Sequence, residues 1–458
     1  MRPDRLKNWE TFVWKRPSEV YGAGNFSIFK GITPTDIRQG ACGDCYFLSS
    51  ISSLAEFPER VEKIFLNKEV NEAGCYALQF YINGEPETVV LDDYFPWCNH
   101  KDNWAFSRST NDKEIWVLLL EKAWAKIFGS YQRIEGGTTG EAFPAITGAP
   151  TKMILHAEVT DTDALWKQIL DGDQKSFVMA TSVASDRSGQ TNQAVTNLGL
   201  VDAHAYSLIA AKELTHNLKK LRLVKIRNPW GQKEWNGDWS DKSDKWTPQL
   251  KEAVGFEAKE DGIFFISFED YIKFFYITSI CKYVEGGDLS VVEDEHATGK
   301  YCLSTFKIAK QYDTPIVITL YQIHSRLVDE TMRGRYQYAP LKLMLGKIIK
   351  EKQIDSKSAT PEQEVIAFVD GEYMQYNHTH IELPSISPGD YVVFTKGEWD
   401  VLNPHRKLIL NIYAPDPLEI KRVHTNQQMF SVYSRMDGWL GARLAQENKY
   451  QVPSYATK

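Results

Sequence analysis

Apolar positions change their period along this chain, and the changes divide it. After a mixed opening that contains "WKRPSEV", the segment "CYFLSSISSLAEF" sets Phe47, Leu48, Ile51, Leu54 and Phe57 at spacings that give a helix one apolar face. "YALQFYI" and "ETVVLDDYF" follow, two strand-like runs around the turn "NGEPE". The run "KEIWVLLLEKAWAKIF" predicts a second helix that stops at Gly129, the residue type expected just past a helix terminus. Residues 135–151, "EGGTTGEAFPAITGAPT", are rich in Gly, Thr and Pro and predict a boundary.

Beyond it the pattern is richer in strands. "AHAYSLIAAKEL" and "LRLVKIRNPWG" predict two strands joined by "THNLKK", followed by the apolar run "DGIFFISFEDYIKFF". The polar, acidic stretch 285–300 reads as the next break. After it, "TPIVITLYQI", "PLKLMLGKIIK", "QEVIAFVDG", "PGDYVVFTK" and "KLILNIYA" alternate with short turn-rich segments, the rhythm of an antiparallel sandwich. The expectation is an α+β chain in four parts: a mainly helical part at 1–150, a strand-rich part at 151–284, a β-sandwich at 285–418 and a polar tail, 419–458, with no assignment.

Composition narrows the possibilities. A chain of 458 residues that is 43% hydrophobic is long enough for two or three cores. The net charge of -7 comes without any Lys/Arg-rich block, so a nucleic-acid partner is not expected. "IWVLLL" at 115–120 falls far short of the ~20 apolar residues that cross a bilayer, and "MRPDRLKNWE" lacks the apolar core of a signal peptide. A cytoplasmic protein is expected. Its six irregularly spaced cysteines are then reduced and available for chemistry.

Cys42 and Cys45 in "QGACGDCYFL" raise three readings. Zinc needs about four ligands, and this chain offers one such pair. A thioredoxin-like motif follows a buried strand, whereas "FKGITPTDIRQGA" is loop-like. Two ordinary buried cysteines are the plain alternative. Position favours reactivity for one of them: Cys45 opens the first helix, where the positive helix end stabilises a thiolate. A nucleophile needs a base and an orienting group. His204 heads one predicted strand and Asn228 ends the next, so both can reach one end of a sheet. The order Cys, His, Asn, with about 160 residues between the first two, is that of papain-like proteases.

The segments Gln39-Gly40, Gly43-Asp44-Cys45-Tyr46, "GLVDAHAYSL", "VKIRNPWGQKEWNGDWSD", "WKRPSEV" and "LLEKAWAKIFGSYQRIEGG" together resemble the protease core of the calpains, collinearly over roughly residues 10–284. The resemblance implies a papain-like two-lobed core followed by a C2-like sandwich. It implies Cys45 as nucleophile, His204 as general base and acid, Asn228 as its orienter and Gln39 as an oxyanion donor beside the Cys45 N–H. Cys42 falls at a variable position. Trp230 matches a tryptophan that shields the His-Asn pair and can wedge between the halves.

The resemblance also implies Ca2+, one ion in each half, a cation that takes about six to eight oxygens. The first set carries over as the carbonyls of Phe29 and Gly31 with the carboxylates of Asp36 and Glu114. The second carries over as Glu234, Asp241 and Asp261 with the carbonyl of Lys259. Ile263 stands where the family usually has a glutamate, and Pro34 where many members have the arginine that pairs with it. The second site is therefore expected to bind calcium weakly or not at all, and the calcium switch to be altered. No EF-hand loop occurs, so no EF-hand small subunit is expected. Membrane contact through the sandwich is a weak expectation.

Calcium-dependent cysteine endopeptidase activity on protein substrates, by limited cleavage, is the function these features imply. A non-catalytic scaffold or calcium-dependent binding protein is the alternative, and acyl transfer on the same residues is a third reading.

Overall fold

A computed structural model describes residues 8–111, 113–184, 193–216, 218–295, 302–309, 312–350, 362–370, 377–399 and 407–423. The chain divides into two compact units, the first holding residues 8–81 and 86–283, the second 82–85 and 284–423.

The first unit has a helical half and a sheet half. In the helical half, Cys45–Leu54 forms a helix and Trp116–Phe128 a second, ended by Gly129 in the left-handed region at φ 95°. Cys75–Ile82 and Glu85–Asp92 pair as a hairpin. Phe47 stacks on Trp124 with ring centroids 4.8 Å apart, and Trp124 Nε1 donates to Tyr46 Oη at 3.0 Å, which ties the two helices together.

The Cys45 helix departs from the one-faced pattern expected of it: residues 46–54 are buried on every side. Its serines make this tolerable by turning their hydroxyls back onto the helix. Ser49 and Ser50 donate to the Tyr46 carbonyl at 3.1 and 2.8 Å, and Ser53 to Ser49 at 3.0 Å. Small side chains on that face let the sheet half approach closely. Ser53 Oγ also reaches the Met179 carbonyl at 2.6 Å, and Ser207 Oγ donates to the Ser49 carbonyl at 2.8 Å.

The sheet half is a six-stranded antiparallel sheet in the order Ile263–Ser267, Lys219–Arg227, His204–His216, Val178–Val183, Ile277–Cys281, Thr151–Leu155. Its core gathers Leu165, Trp166 and Ile169 of the Thr162–Gln174 helix against Tyr206, Val224, Phe264 and Ile280.

Two stretches fold differently from their sequence pattern. The Gly/Pro-rich boundary contains a helix, Thr139–Thr147, closed by Gly148 in the left-handed region. "IFFISFEDYIKFF" is a strand and then a helix, Phe268–Phe274, because the Ser267 hydroxyl accepts the Asp270 N–H and caps a new start.

The second unit is an antiparallel sandwich of a four-stranded and a five-stranded sheet. Asp288–Glu295, inside the polar stretch expected to be a break, is an edge strand paired to Lys407–Ala414. Lys421–Val423, in the unassigned tail, pairs with Cys302–Ile308. Residues 424–458 of that tail lie outside the described residues. The core between the sheets is aliphatic, with Ile318, Leu320, Leu343, Leu345, Val393 and Ile412 all nearly or fully buried.

Candidate active site

The sheet half presents His204 at the first residue of its strand and Asn228 just after the neighbouring strand ends. Ala203, immediately before His204, has φ 50°, a strained turn for a residue with a Cβ, which aims the imidazole off the strand end. His204 Nε2 lies 2.8 Å from Asn228 Oδ1. The Asn228 amide is oriented by its other bonds: Nδ2 donates to the Lys233 carbonyl at 3.0 Å, and Oδ1 also accepts the Trp230 N–H at 3.0 Å. Trp230 packs against the imidazole with centroids 4.6 Å apart at 48°.

The helical half presents Cys45 at the tip of its helix, partly buried, with its thiol facing the backbone N–H of Ala205 beside His204. Gln39 lies on the loop leading to that tip. Its Nε2 donates to the Cys42 carbonyl at 2.8 Å and its Oε1 accepts Trp230 Nε1 at 2.7 Å, so the amide is fixed from both halves. The loop is pinned further by Ala41 N–H to the Ala105 carbonyl at 2.9 Å and Gly136 N–H to the Gly43 carbonyl at 2.8 Å. Cys42 is buried and its thiol donates to the Tyr131 carbonyl at 3.6 Å, into the helical half. The two cysteines therefore serve opposite sides of the loop. The described cysteines form no disulfide, and no group of three metal-ligating side chains occurs among the described residues.

The two halves meet through buried polar contacts. Arg227, with no exposed surface, sends Nη1 to Ser52 Oγ at 3.1 Å and Nη2 to the carbonyls of Ile37 and Thr35 at 2.8 and 3.3 Å. Arg38 Nη1 reaches back to the Trp230 and Gly231 carbonyls at 3.3 and 3.0 Å.

Electrostatics at the site is governed by burial. It pushes the Cys45 thiol up to about 11, against the backbone N–H of Ala205 and of the helix tip, which favour the thiolate. It pulls the His204 imidazole down to about 4, against the Asn228 hydrogen bond.

The carboxylates among the expected calcium ligands each accept at least one backbone N–H. Asp36 Oδ2 accepts the Thr33 N–H at 2.7 Å as the cap of a short 3-10 turn. Buried Glu114 accepts the N–H groups of Lys30 and Gly31, the latter at 3.0 Å, and the Ser109 hydroxyl at 3.0 Å. In the other half Glu234 accepts the Gly262 N–H at 2.8 Å, Asp241 the Lys259 N–H at 3.1 Å and Asp261 the Ile263 N–H at 2.9 Å. The Lys259 carbonyl accepts the Asp261 N–H at 3.0 Å.

Sequence reasoning passed over the glycines that make room here. A Cβ on Gly40 would lie 2.0 Å from the Phe106 carbonyl oxygen. One on Gly262, at φ 87°, would lie 2.6 Å from the Asn228 carbonyl oxygen. For Gly40 only the close backbone approach explains the residue, whereas Gly262 is also required by its left-handed backbone.

A family model described as calpain family cysteine protease matches residues 2–282. The chain belongs to the calpain family. A calpain-type cysteine protease of Oryza sativa subsp. japonica, ADL1, is 34% identical over 281 residues, covering 59% of this chain and 12% of the rice protein. The calpain-1 catalytic subunit of Mus musculus is 38% identical over 277 residues and calpain-9 of Homo sapiens 34%, each match again covering 59% of this chain. This chain spans 38% of the mouse calpain and 39% of the human one. The residues that the family model matches fall almost wholly in the first unit.

Proposed function

We propose that this chain is a calcium-responsive cytoplasmic cysteine endopeptidase that makes limited cuts in extended segments of protein substrates, with Cys45 as nucleophile. The observation that carries the reading is the 2.8 Å contact of His204 Nε2 with Asn228 Oδ1, in a site where the Cys45 thiol faces the adjacent strand end. Because Asn228 Nδ2 is spent on the Lys233 carbonyl, Oδ1 accepts and Nε2 carries the proton. His204 Nδ1 then keeps its lone pair for the thiol.

In this mechanism Nδ1 takes the thiol proton as sulfur attacks the peptide carbonyl. The oxyanion is met by the Cys45 N–H and by the second N–H of Gln39 Nε2, the first being held by the Cys42 carbonyl. The imidazolium protonates the leaving amine, and the same nitrogen activates the water that hydrolyses the thioester. Since burial keeps thiol and imidazole neutral at rest, charge is separated at the moment of attack, against fixed N–H dipoles. The cytoplasmic part of the reading rests on the sequence, whose six irregularly spaced cysteines describe no disulfide framework.

Cys45→Ala is expected to cut hydrolysis of casein and of a fluorogenic peptide by about 10⁴–10⁶-fold. Undiminished turnover by that variant refutes the mechanism.

Calcium fits the two sets unequally. In the first, the Lys30 N–H points at Glu114, so the Phe29 carbonyl of the same trans peptide points away from it, and the set does not fit as arranged. In the second, Glu234 is pushed up to about 7 by burial and then by the charges of Asp241 and Asp261, and Asp241 is raised in the same way. These acids suit Ca2+ in charge, but the three carboxylates do not converge into a ready-made metal group, so calcium would have to draw them together. Ile263 supplies no oxygen, so a dissociation constant on the order of 10⁻⁴ M or weaker is expected. Millimolar calcium, not magnesium, is expected to raise the unfolding temperature of the wild type and not of Asp241→Asn. Equal shifts in both proteins would remove calcium from the second set.

A further inference from the structure

Asp44 immediately precedes Cys45 and has no exposed surface, yet neither carboxyl oxygen receives a bond from an N–H or O–H donor. It occupies the cap position of the Cys45 helix without capping it. What its carboxyl meets is the carboxyl of Glu121, from the Trp116–Phe128 helix, which is also buried. Glu121 has a donor of its own: the Ser107 N–H lies 3.1 Å from both of its oxygens. Two ionised carboxylates with no donor other than Ser107 to serve them do not persist away from water. One proton between the two side chains supplies the missing donor, the Asp44 hydroxyl giving to Glu121.

We propose that Asp44 and Glu121 share one proton, and that the uncharged Asp44 this leaves beside Cys45 is a positioning residue that keeps the tip of the nucleophile's helix receptive to a thiolate. The inference rests on Cys45 as nucleophile. An ionised Asp44 opposes the thiolate directly and cancels part of the positive helix end. The groups that act most strongly on Asp44 are acids, not cations. Glu135 accepts the Gly43 N–H at 3.2 Å and adds negative charge, while the half-buried Tyr131 phenol and the Cys42 thiol are acids themselves. Burial first, and then Glu121, hold Asp44 well above the usual carboxylate range, and burial lifts Glu121 to about 7. Because both groups are raised in the folded state, their protonation stabilises the fold in acid, and that contribution is lost as pH rises through them.

Two isosteric substitutions separate the protonation states. Asp44→Asn keeps an uncharged group beside the sulfur. Glu121→Gln keeps an acceptor for Ser107 but turns an amide N–H toward Asp44, which lets Asp44 ionise. The test is the pH dependence of iodoacetamide alkylation in the full chain, read at the Cys45-containing peptide by mass spectrometry, since Cys75 is exposed and reacts separately. The Cys45 titration is expected to stay within a few tenths of a unit of the wild type in Asp44→Asn and to move up by about one unit in Glu121→Gln. A downward shift of about a unit in Asp44→Asn, which would mean that Asp44 is ionised in the wild type, or no upward shift in Glu121→Gln, overturns the shared proton. Failure of peptide hydrolysis with these two titrations as expected would instead count against the endopeptidase reading alone.

Discussion

Gly40→Ala is expected to lower kcat/KM by about 10²–10³-fold, comparable to the loss of an oxyanion donor, with little change in unfolding temperature. The added methyl would meet the Phe106 carbonyl oxygen at 2.0 Å, its carbon at 2.4 Å and the Phe106 Cα at 2.6 Å. All three are backbone atoms, so no side chain can turn aside. The Ala41 N–H bond to Ala105 holds the loop against that same segment, and relief comes only by backing the loop away. Gln39 and the tip of the Cys45 helix move with it. Gly334→Ala, where a Cβ meets nothing within 4 Å and the backbone is right-handed helical, serves as the control. Activity of Gly40→Ala within about two-fold of wild type, after titration of reactive Cys45 with a thiol-reactive epoxide, would mean the loop is not the rigid part described here.

Arg227→Ala carries the largest expected cost in stability, about 3–5 kcal/mol. Burial lowers the guanidinium to about 10, so it is charged at neutral pH with no contact to water. Truncation strands the acceptors of Thr35, Ile37 and Ser52 and leaves a hole between the halves. At roughly 2–4 °C per kcal/mol, thermal unfolding of the first unit falls by about 6–20 °C. Activity falls with it, because the next residue is Asn228. A change below about 1 kcal/mol would show that water replaces the side chain without penalty.

Where a feature was local, the chain announced it. The Cys45 helix, the hairpin strands, the Gly129 stop and the strands that carry His204 and Asn228 follow from period and termini, each decided within a dozen residues. The helix at Thr139–Thr147 was hidden because its composition is that of a loop, and only its left-handed Gly148 marks an end. Phe268–Phe274 was hidden inside a continuous apolar run, where period alone does not separate strand from helix. Features made by distant segments had no signature. The carboxyl pair joins Asp44 to a residue on another helix, and Gly40 is required by a backbone that arrives from Phe106. Likewise the acids of the first calcium set were readable, whereas the direction of the Phe29–Lys30 peptide was not.

Among the hydrogen bonds that join the halves, Trp230 Nε1 to Gln39 Oε1 ties the oxyanion donor of one half to the ring that packs on the imidazole of the other. Parting of the halves breaks this bond and leaves the Gln39 amide held only by the Cys42 carbonyl of its own half. The indole is thus the strut by which seating of the base is felt at the oxyanion donor.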